Sequence, residues 1–177
     1  MQKIGIVFGT RPCIIKLSPI IRYLEKQKTP YFLIHSRQHY SYELDKIFFE
    51  ELGLPVPKYF LNVKSIGPQR QGSYTGRILI EMEEILLQEM PDIVIVHGDT
   101  NTALSGALLV SKLSTASEVT GKKIRLAHIE AGLRSYDRTM PEEINRVICD
   151  HLSDELFAPT KNAEKNRPAY YDELVHA

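Results

Sequence analysis

The sequence predicts an α/β protein in which a parallel sheet carries helices on both faces, and three observations lead to that expectation. Strand-like and helix-like patterns alternate along the chain, as in repeated strand–helix–strand units. Residues 93–96 form a continuous apolar run, as a strand covered on both faces of a parallel sheet requires. Polar and charged clusters fall directly after the strand-like runs, where an open parallel sheet binds its ligands.

Each element follows from local pattern. Residues 3–8, KIGIVF, are a short β-rich run that ends at Gly9, and after Pro12 the positions Ile14, Ile15, Leu17, Ile20, Ile21 and Leu24 recur at helical spacing. YFLIH repeats the strand signal, and Leu44, Ile47, Phe48 and Leu52 predict a helix over residues 42–52. Residues 61–76 are rich in Gly, Ser and polar side chains and read as a loop, followed by a helix over 75–89. The strand in DIVIVHGDT leads to a helix over 102–113, a polar surface connection over 114–123 and a strand over 124–130. PEEINR opens another helix, ELFAPT is a last short strand, and the tail over 161–177 is weakly amphipathic with a proline in its middle. The sum is a three-layer, Rossmann-like α/β domain.

The totals narrow the function. A chain of 177 residues fits one domain, since single domains run to about 100–200 residues. Lys plus Arg and Asp plus Glu balance at 22 each, so no global field favours nucleic acid or an anionic membrane, and the scattered aromatics offer no stacking platform. Cys13 and Cys149 form neither a disulfide framework nor a close-spaced zinc motif, which suits a reducing, cytoplasmic setting. No run is long enough to cross a bilayer, and the N-terminal apolar run is shorter than a signal core. The histidines at 35, 39, 97, 128, 151 and 176 lack ligand spacing, so no metal is expected. His97 and His128 read as satisfied core histidines.

Three strand exits carry the chemistry. In GTRPCIIK, Gly9 permits a tight turn, Thr10 suits the cap, Pro12 suits the first helical position, and Arg11 and Lys16 add charge where free N–H groups favour an anion. A capped helix with an exposed arginine explains the same residues. The pattern is neither G-x-G-x-x-G nor a Walker sequence, so neither a nicotinamide cofactor nor ATP hydrolysis is indicated. Cys13 lies in the first turn, where the helix dipole favours a thiolate, but no histidine neighbours it in sequence and a packing role is expected. Asp99 in HGDT either caps the next helix or faces a ligand. Glu130 in HIEAGLR ends a strand, with Gly132 allowing close backbone approach. Glu142 and Glu143 sit in a helical first turn, where acids are ordinary stabilisers, and Glu142 can pair with Arg146 at i,i+4. Each carboxylate has an ordinary explanation, but Asp99, Glu130 and Glu142 at adjacent strand exits beside Arg and Lys do not share one.

Taken together, the words FGTRPCIIKLSPII, SRQHY, KIFFEELGLP, PDIVIVHGDTNTALSGAL, HIEAGLRSYDRTMPEEINR and DHLSDELFAPT resemble, in order, the N-terminal half of the non-hydrolysing UDP-N-acetylglucosamine 2-epimerases. The resemblance runs to about residue 160. It implies the first half of a GT-B-type two-domain fold with the active site between the domains, a cytoplasmic and commonly dimeric enzyme, and interconversion of UDP-GlcNAc and UDP-ManNAc without a cofactor. Inversion at C2 then proceeds by elimination of UDP to a 2-acetamidoglucal, followed by re-addition with a proton delivered to the other face. Carried over by motif, Asp99, Glu130 and Glu142 are the acid/base carboxylates, and Arg11, Lys16 and Arg146 the substrate-binding cations. Gln38 and Arg77 match positions that hold a second, activating UDP-GlcNAc. Two departures accompany the match: Cys13 stands where the family usually has Glu, and the chain ends where the UDP-binding second domain should begin. On this reading residues 1–160 are the catalytic half and 161–177 a divergent tail. A separate C-terminal domain and self-association through the uncovered face are then expected. A non-catalytic nucleotide-sugar-binding module and a hydrolysing epimerase are the alternatives.

Overall fold

A computed structural model describes residues 1–37, 42–63, 68–116 and 121–168. The elements run β1 (Ile4–Phe8), α1 (Arg11–Lys26), β2 (Tyr31–His35), α2 (Tyr42–Glu51), β3 (Tyr59–Phe60), a 3-10 turn (Pro68–Arg70), α3 (Gln71–Glu89), β4 (Ile93–His97), α4 (Asn101–Thr115), β5 (Arg125–Ile129), α5 (Pro141–Leu152), β6 (Glu155–Phe157) and α6 (Lys161–Glu164). The strands form one six-stranded sheet in the order β3-β2-β1-β4-β5-β6, with every pairing parallel. The order reverses between β1 and β4, the switch point at which such sheets open a crevice at their carboxyl ends.

Strand periodicity divides the core into two clusters. Val7, Phe32, Ile34, Val94, Val96 and Leu126 face one way and meet Ile78, Met82 and Leu86 of α3 and Leu109 and Val110 of α4. Ile6, Phe8, Leu33, Ile95 and Ala127 face the other way and meet Ile14, Leu17, Ile21 and Leu24 of α1 and Phe49 of α2. This is the three-layer arrangement the alternation predicts. A Cβ added to Gly106 of α4 would lie 2.8 Å from Val96 Cγ1, so a glycine lets α4 lie close on the sheet.

Boundaries differ where tertiary packing extends a helix beyond its pattern. The loop expected over residues 61–76 is shorter, because α3 begins at Gln71 rather than near Thr75. Tyr74 is buried one turn before Ile78 and continues the Ile78–Met82–Leu86 stripe. β3 is two residues long and carries no periodicity to read. β6 stops at Phe157, and Thr160 instead caps α6 through its hydroxyl, which accepts from Ala163 N at 3.1 Å. Among the described residues no helix is long and apolar enough to cross a membrane.

The amino-end rim of the sheet is closed by charge pairs. Glu89, 7% exposed, accepts from Lys3 and Lys58 ammonium groups and from the Tyr59 hydroxyl, joining β1, β3 and the end of α3. Asp92 accepts from the Lys3 backbone N–H at 2.6 Å and pairs with Lys122 at 2.9 Å. Burial opposes the Glu89 charge, yet the Lys3, Lys58 and Tyr59 donors hold its carboxyl down at about 2.

Candidate active site

The carboxyl-end rim gathers the polar residues of the strand exits. Helix α1 begins at Arg11, so Pro12 is its second residue rather than its first, a position that also needs no N–H donor. Thr10 occupies the N-cap without a side-chain cap bond, and its hydroxyl lies 3.1 Å from Cys13 Sγ instead. Cys13 is buried, and burial pushes its thiol up against the hydrogen bonds from Thr10, so this cysteine packs. Arg11 is half-buried in the first turn. Lys16, on the exposed side of α1, puts Nζ 2.6 Å from Glu130 Oε1.

Glu130 follows β5 with φ of 70°, in the left-handed region that disfavours any residue carrying a Cβ and clusters at functional sites. That conformation folds its carboxylate over the end of β4: a Cβ added to Gly98 would stand 3.4 Å from Glu130 Oε2, and His97 Nε2 lies 3.7 Å from the same oxygen. An open concavity of about 690 Å³, lined in part by Ile129, Glu130, Phe157, Pro159, Thr160 and Lys161, adjoins it.

Asp99 does not cap α4. Thr100 is the N-cap, its hydroxyl accepting from Ala103 N at 3.2 Å, which leaves the Asp99 carboxylate to other partners. Arg146 Nη2 donates to Asp99 Oδ2 at 2.5 Å while Nη1 donates to Glu143 Oε2 at 3.0 Å. The i,i+4 pair of Glu142 with Arg146 is therefore not formed; the i,i+3 pair with Glu143 takes its place. Asn145 Nδ2 donates to the Asp99 carbonyl at 2.7 Å and to Asn101 Oδ1 at 3.2 Å. Helix α5 thus orients both the backbone and the side chain of Asp99.

Glu142 and Glu143 separate by helical geometry. Glu143 is buried and accepts from Ser135 N at 2.9 Å, Ser135 Oγ at 3.1 Å and Tyr136 N at 3.2 Å. Burial opposes its charge, but donors from Ser135 and Arg146 hold the carboxyl at about 2, so it is a fixed anion that pins the loop after β5. Glu142 is exposed, and among the described residues its side chain has no hydrogen bond or ion pair. Asp99 and Glu130 thus occupy adjacent strand exits with a cation each, while Glu142 stands on the first turn of α5 without a partner.

Asp150 and Arg134, which the sequence did not single out, complete the support. Asp150, fully buried, accepts from His128 Nδ1 at 2.6 Å, Gly132 N at 2.9 Å and Arg134 Nη1 at 2.6 Å. His128 Nε2 donates to the Gly98 carbonyl at 2.8 Å, the peptide immediately before Asp99. Burial opposes the Asp150 charge, but His128, Arg134 and Gly132 hold it below the usual carboxylate range. One carboxylate on α5 therefore ties together the turns that carry Asp99 and Glu130. His128 is satisfied, as expected for a core histidine. His97 is not: it is buried, and among the described residues neither ring nitrogen has a hydrogen-bond partner. Gly132, at φ of 76°, would place a Cβ 2.0 Å from Ala163 O, which is the close backbone approach its position suggested.

Of the remaining positions, Arg77 is exposed on α3. Gln38 lies outside the described residues. Among the described residues no cluster of His, Cys, Asp and Glu is placed to hold a metal ion.

Comparison with known proteins shows what the chain as a whole is similar to. Residues 22–167 match the family model described as UDP-N-acetylglucosamine 2-epimerase. The chain is 59% identical over 165 residues to a UDP-N-acetylglucosamine 2-epimerase of Methanocaldococcus jannaschii, covering 93% of this chain and 42% of that protein. It is 56% identical to one from Methanococcus maripaludis, covering 99% of this chain and 45% of the relative. A crystal structure of the M. jannaschii UDP-GlcNAc 2-epimerase in complex with UDP-GlcNAc and UDP superposes with a TM-score of 0.83 at 58% identity, over 93% of this chain and 42% of that one. The chain thus spans less than half the length of these relatives.

Proposed function

We propose, from the premise that the chain belongs to the UDP-N-acetylglucosamine 2-epimerase family, that it supplies the carboxylate-bearing half of a site that epimerises UDP-GlcNAc and UDP-ManNAc at C2. The observation that carries this reading is the placement of Asp99 and Glu130 at adjacent strand exits, each paired with a cation and neither buried away from the cleft.

The chemistry asks for such a pair. Removing the C2 proton while the C1–O bond to UDP breaks gives the 2-acetamidoglucal and free UDP. Re-addition forms the C1–O bond again and returns a proton to C2 on the opposite face. Two proton-transfer groups must therefore flank one ring, and acid–base catalysis by positioned carboxylates serves that step. Asp99, Glu130 and Glu142 are the candidates, with Glu142 free to turn toward a bound sugar. Lys16 and Arg11, beside the amino end of α1, stabilise the departing diphosphate together with the helix terminus. Arg146 holds Asp99 in place. A UDP-binding domain, from a longer form of the chain or a separate one, closes the cleft, and Gln38 and Arg77 serve a second nucleotide sugar.

The test incubates the chain with UDP-GlcNAc in deuterated water, with and without the C-terminal half of a family member. Deuterium incorporation at C2, with UDP-ManNAc formed, is the expected result in the reconstituted sample. No incorporation in either sample from a folded chain would leave a nucleotide-sugar-binding module; release of UDP with free ManNAc would point to hydrolysis.

A further inference from the structure

His97 ends β4 at 3% exposure, and among the described residues neither of its ring nitrogens has a hydrogen-bond partner. An apolar ring would fill the same space without leaving polar atoms unpaired, so a histidine here calls for a reason beyond packing. Burial keeps the imidazole below the usual histidine range, with Glu130 and, least of all, the residue's own backbone acting the other way and Lys16 and His128 reinforcing the shift. The ring is therefore neutral and has one N–H to donate. Glu130 Oε2 lies 3.7 Å from its Nε2, just outside hydrogen-bond reach. The other oxygen of the same carboxylate is held by Lys16 at 2.6 Å, and the Lys16 side chain is 51% exposed. The left-handed backbone of Glu130 independently keeps the carboxylate over the end of β4.

We infer that His97 is a positioning residue for Glu130: it takes over the carboxylate as hydrogen-bond donor when Lys16 releases it. The inference rests on Glu130 acting on the sugar, as read above. Lys16 has two anions within its range of action, the carboxylate now and a diphosphate once a nucleotide sugar enters. When the ammonium turns to the diphosphate, Glu130 loses a cation and gains a neutral N–H donor from a ring fixed in the strand. The carboxylate stays oriented but becomes a better proton acceptor, because a neutral donor stabilises its charge less than an ammonium does. No proton is transferred in the exchange, and only a small movement of the Glu130 side chain is needed.

The test uses the whole chain and needs no turnover. In the Lys16→Met variant the ¹⁵N resonance of the protonated His97 ring nitrogen is expected to move to its hydrogen-bonded position, and adding Glu130→Ala should return it to the wild-type position. Superimposable His97 resonances in wild type and Lys16→Met would overturn the inference. A second arm measures C2 exchange with the C-terminal half present. His97→Phe should lower kcat about tenfold with KM within about twofold, and His97→Gln, which keeps a donor, should recover part of the loss. Unchanged kcat in His97→Phe would equally overturn it. If wild type itself shows no exchange, the epimerase reading fails, and the ring-nitrogen comparison alone decides the role of His97.

Discussion

The two rims of one sheet use similar residues to opposite ends. At the amino rim Glu89 has donors from Lys3, Lys58 and Tyr59 and is almost wholly buried, so the cluster is satisfied and closed. At the carboxyl rim Asp99 and Glu130 have one cation each and remain partly open, and His97 beside them has no hydrogen-bond partner among the described residues. Beneath that open layer lies a closed one, in which Glu143 and Asp150 are buried and saturated with donors. Pairing completeness separates the anions that hold the fold from those proposed to do chemistry.

The largest expected effect comes from the open layer. Asp99→Asn keeps the shape of the side chain and removes its charge, so C2 exchange in the reconstituted enzyme should fall by about 10² to 10⁴, or roughly 3 to 5 kcal/mol of barrier. Stability should change little, since Thr100 rather than Asp99 caps α4. Paired exchange and denaturation measurements check both halves; a fall in stability comparable to the fall in rate would move Asp99 into the closed layer.

Gly132→Ala should give the next largest effect, on stability. The new Cβ would meet Ala163 O at 2.0 Å on a backbone with φ of 76°, and strain plus displacement of α6 should cost about 3 kcal/mol. For a domain of this size that lowers Tm by roughly 6 to 12 °C. A melting curve within a few degrees of wild type would mean that α6 yields freely and does not fix the turn carrying Glu130.

At the amino rim, Glu89→Gln should cost about 1 to 3 kcal/mol in denaturant and leave nucleotide-sugar binding unchanged. It should also alter the acid limb of stability. The Glu89 carboxyl is held at about 2, below its ordinary 4.5, so its contribution is complete above the ordinary value and is lost as pH falls toward about 2. Glu89→Gln should therefore flatten the acid limb, leaving the part due to Glu143, which is also held at about 2, and to Asp150 and Asp92, both held below the usual carboxylate range. Identical acid limbs in the two proteins would show that the amino-rim cluster is not the stabilising anion the comparison makes it.

What was legible in the sequence follows the range of the forces involved. The helices and the longer strands were readable because their patterns are local, as in the β-rich run at 3–8 and the continuous apolar run at 93–96, whereas the two-residue β3 was not. GTRP, HGDT and HIEAG announced the strand exits. The division of labour did not show, because it depends on contacts across the chain: Asp99 with Arg146, Glu130 with Lys16, Asp150 with His128. Glu142 and Glu143 are adjacent and chemically alike, and only the direction of helix α5 decides that one is buried and the other exposed. The i,i+3 spacing of Glu143 and Arg146 was a usable signal that competed with the i,i+4 spacing of Glu142. Asp150 and Asn145 carried no signal of their own, since each matters only through a turn brought beside it by the fold.

The smallest effect gives the finest separation. Thr100 and Asp99 are neighbours, and either could cap α4 by residue type, so a defect at Asp99 alone leaves capping and catalysis entangled. Thr100→Ala removes the hydroxyl that accepts from Ala103 N and should cost about 1 kcal/mol of stability, the usual worth of such a cap. Asp99 would keep its carboxylate bond to Arg146 and its carbonyl bond to Asn145, so kcat should stay within about threefold of wild type. Asp99→Asn and Thr100→Ala then form a crossed pair, one losing rate without stability and the other stability without rate. If Thr100→Ala instead loses as much exchange as Asp99→Asn, the start of α4 is itself the device that places the carboxylate, and the open and closed layers of this rim meet at that turn.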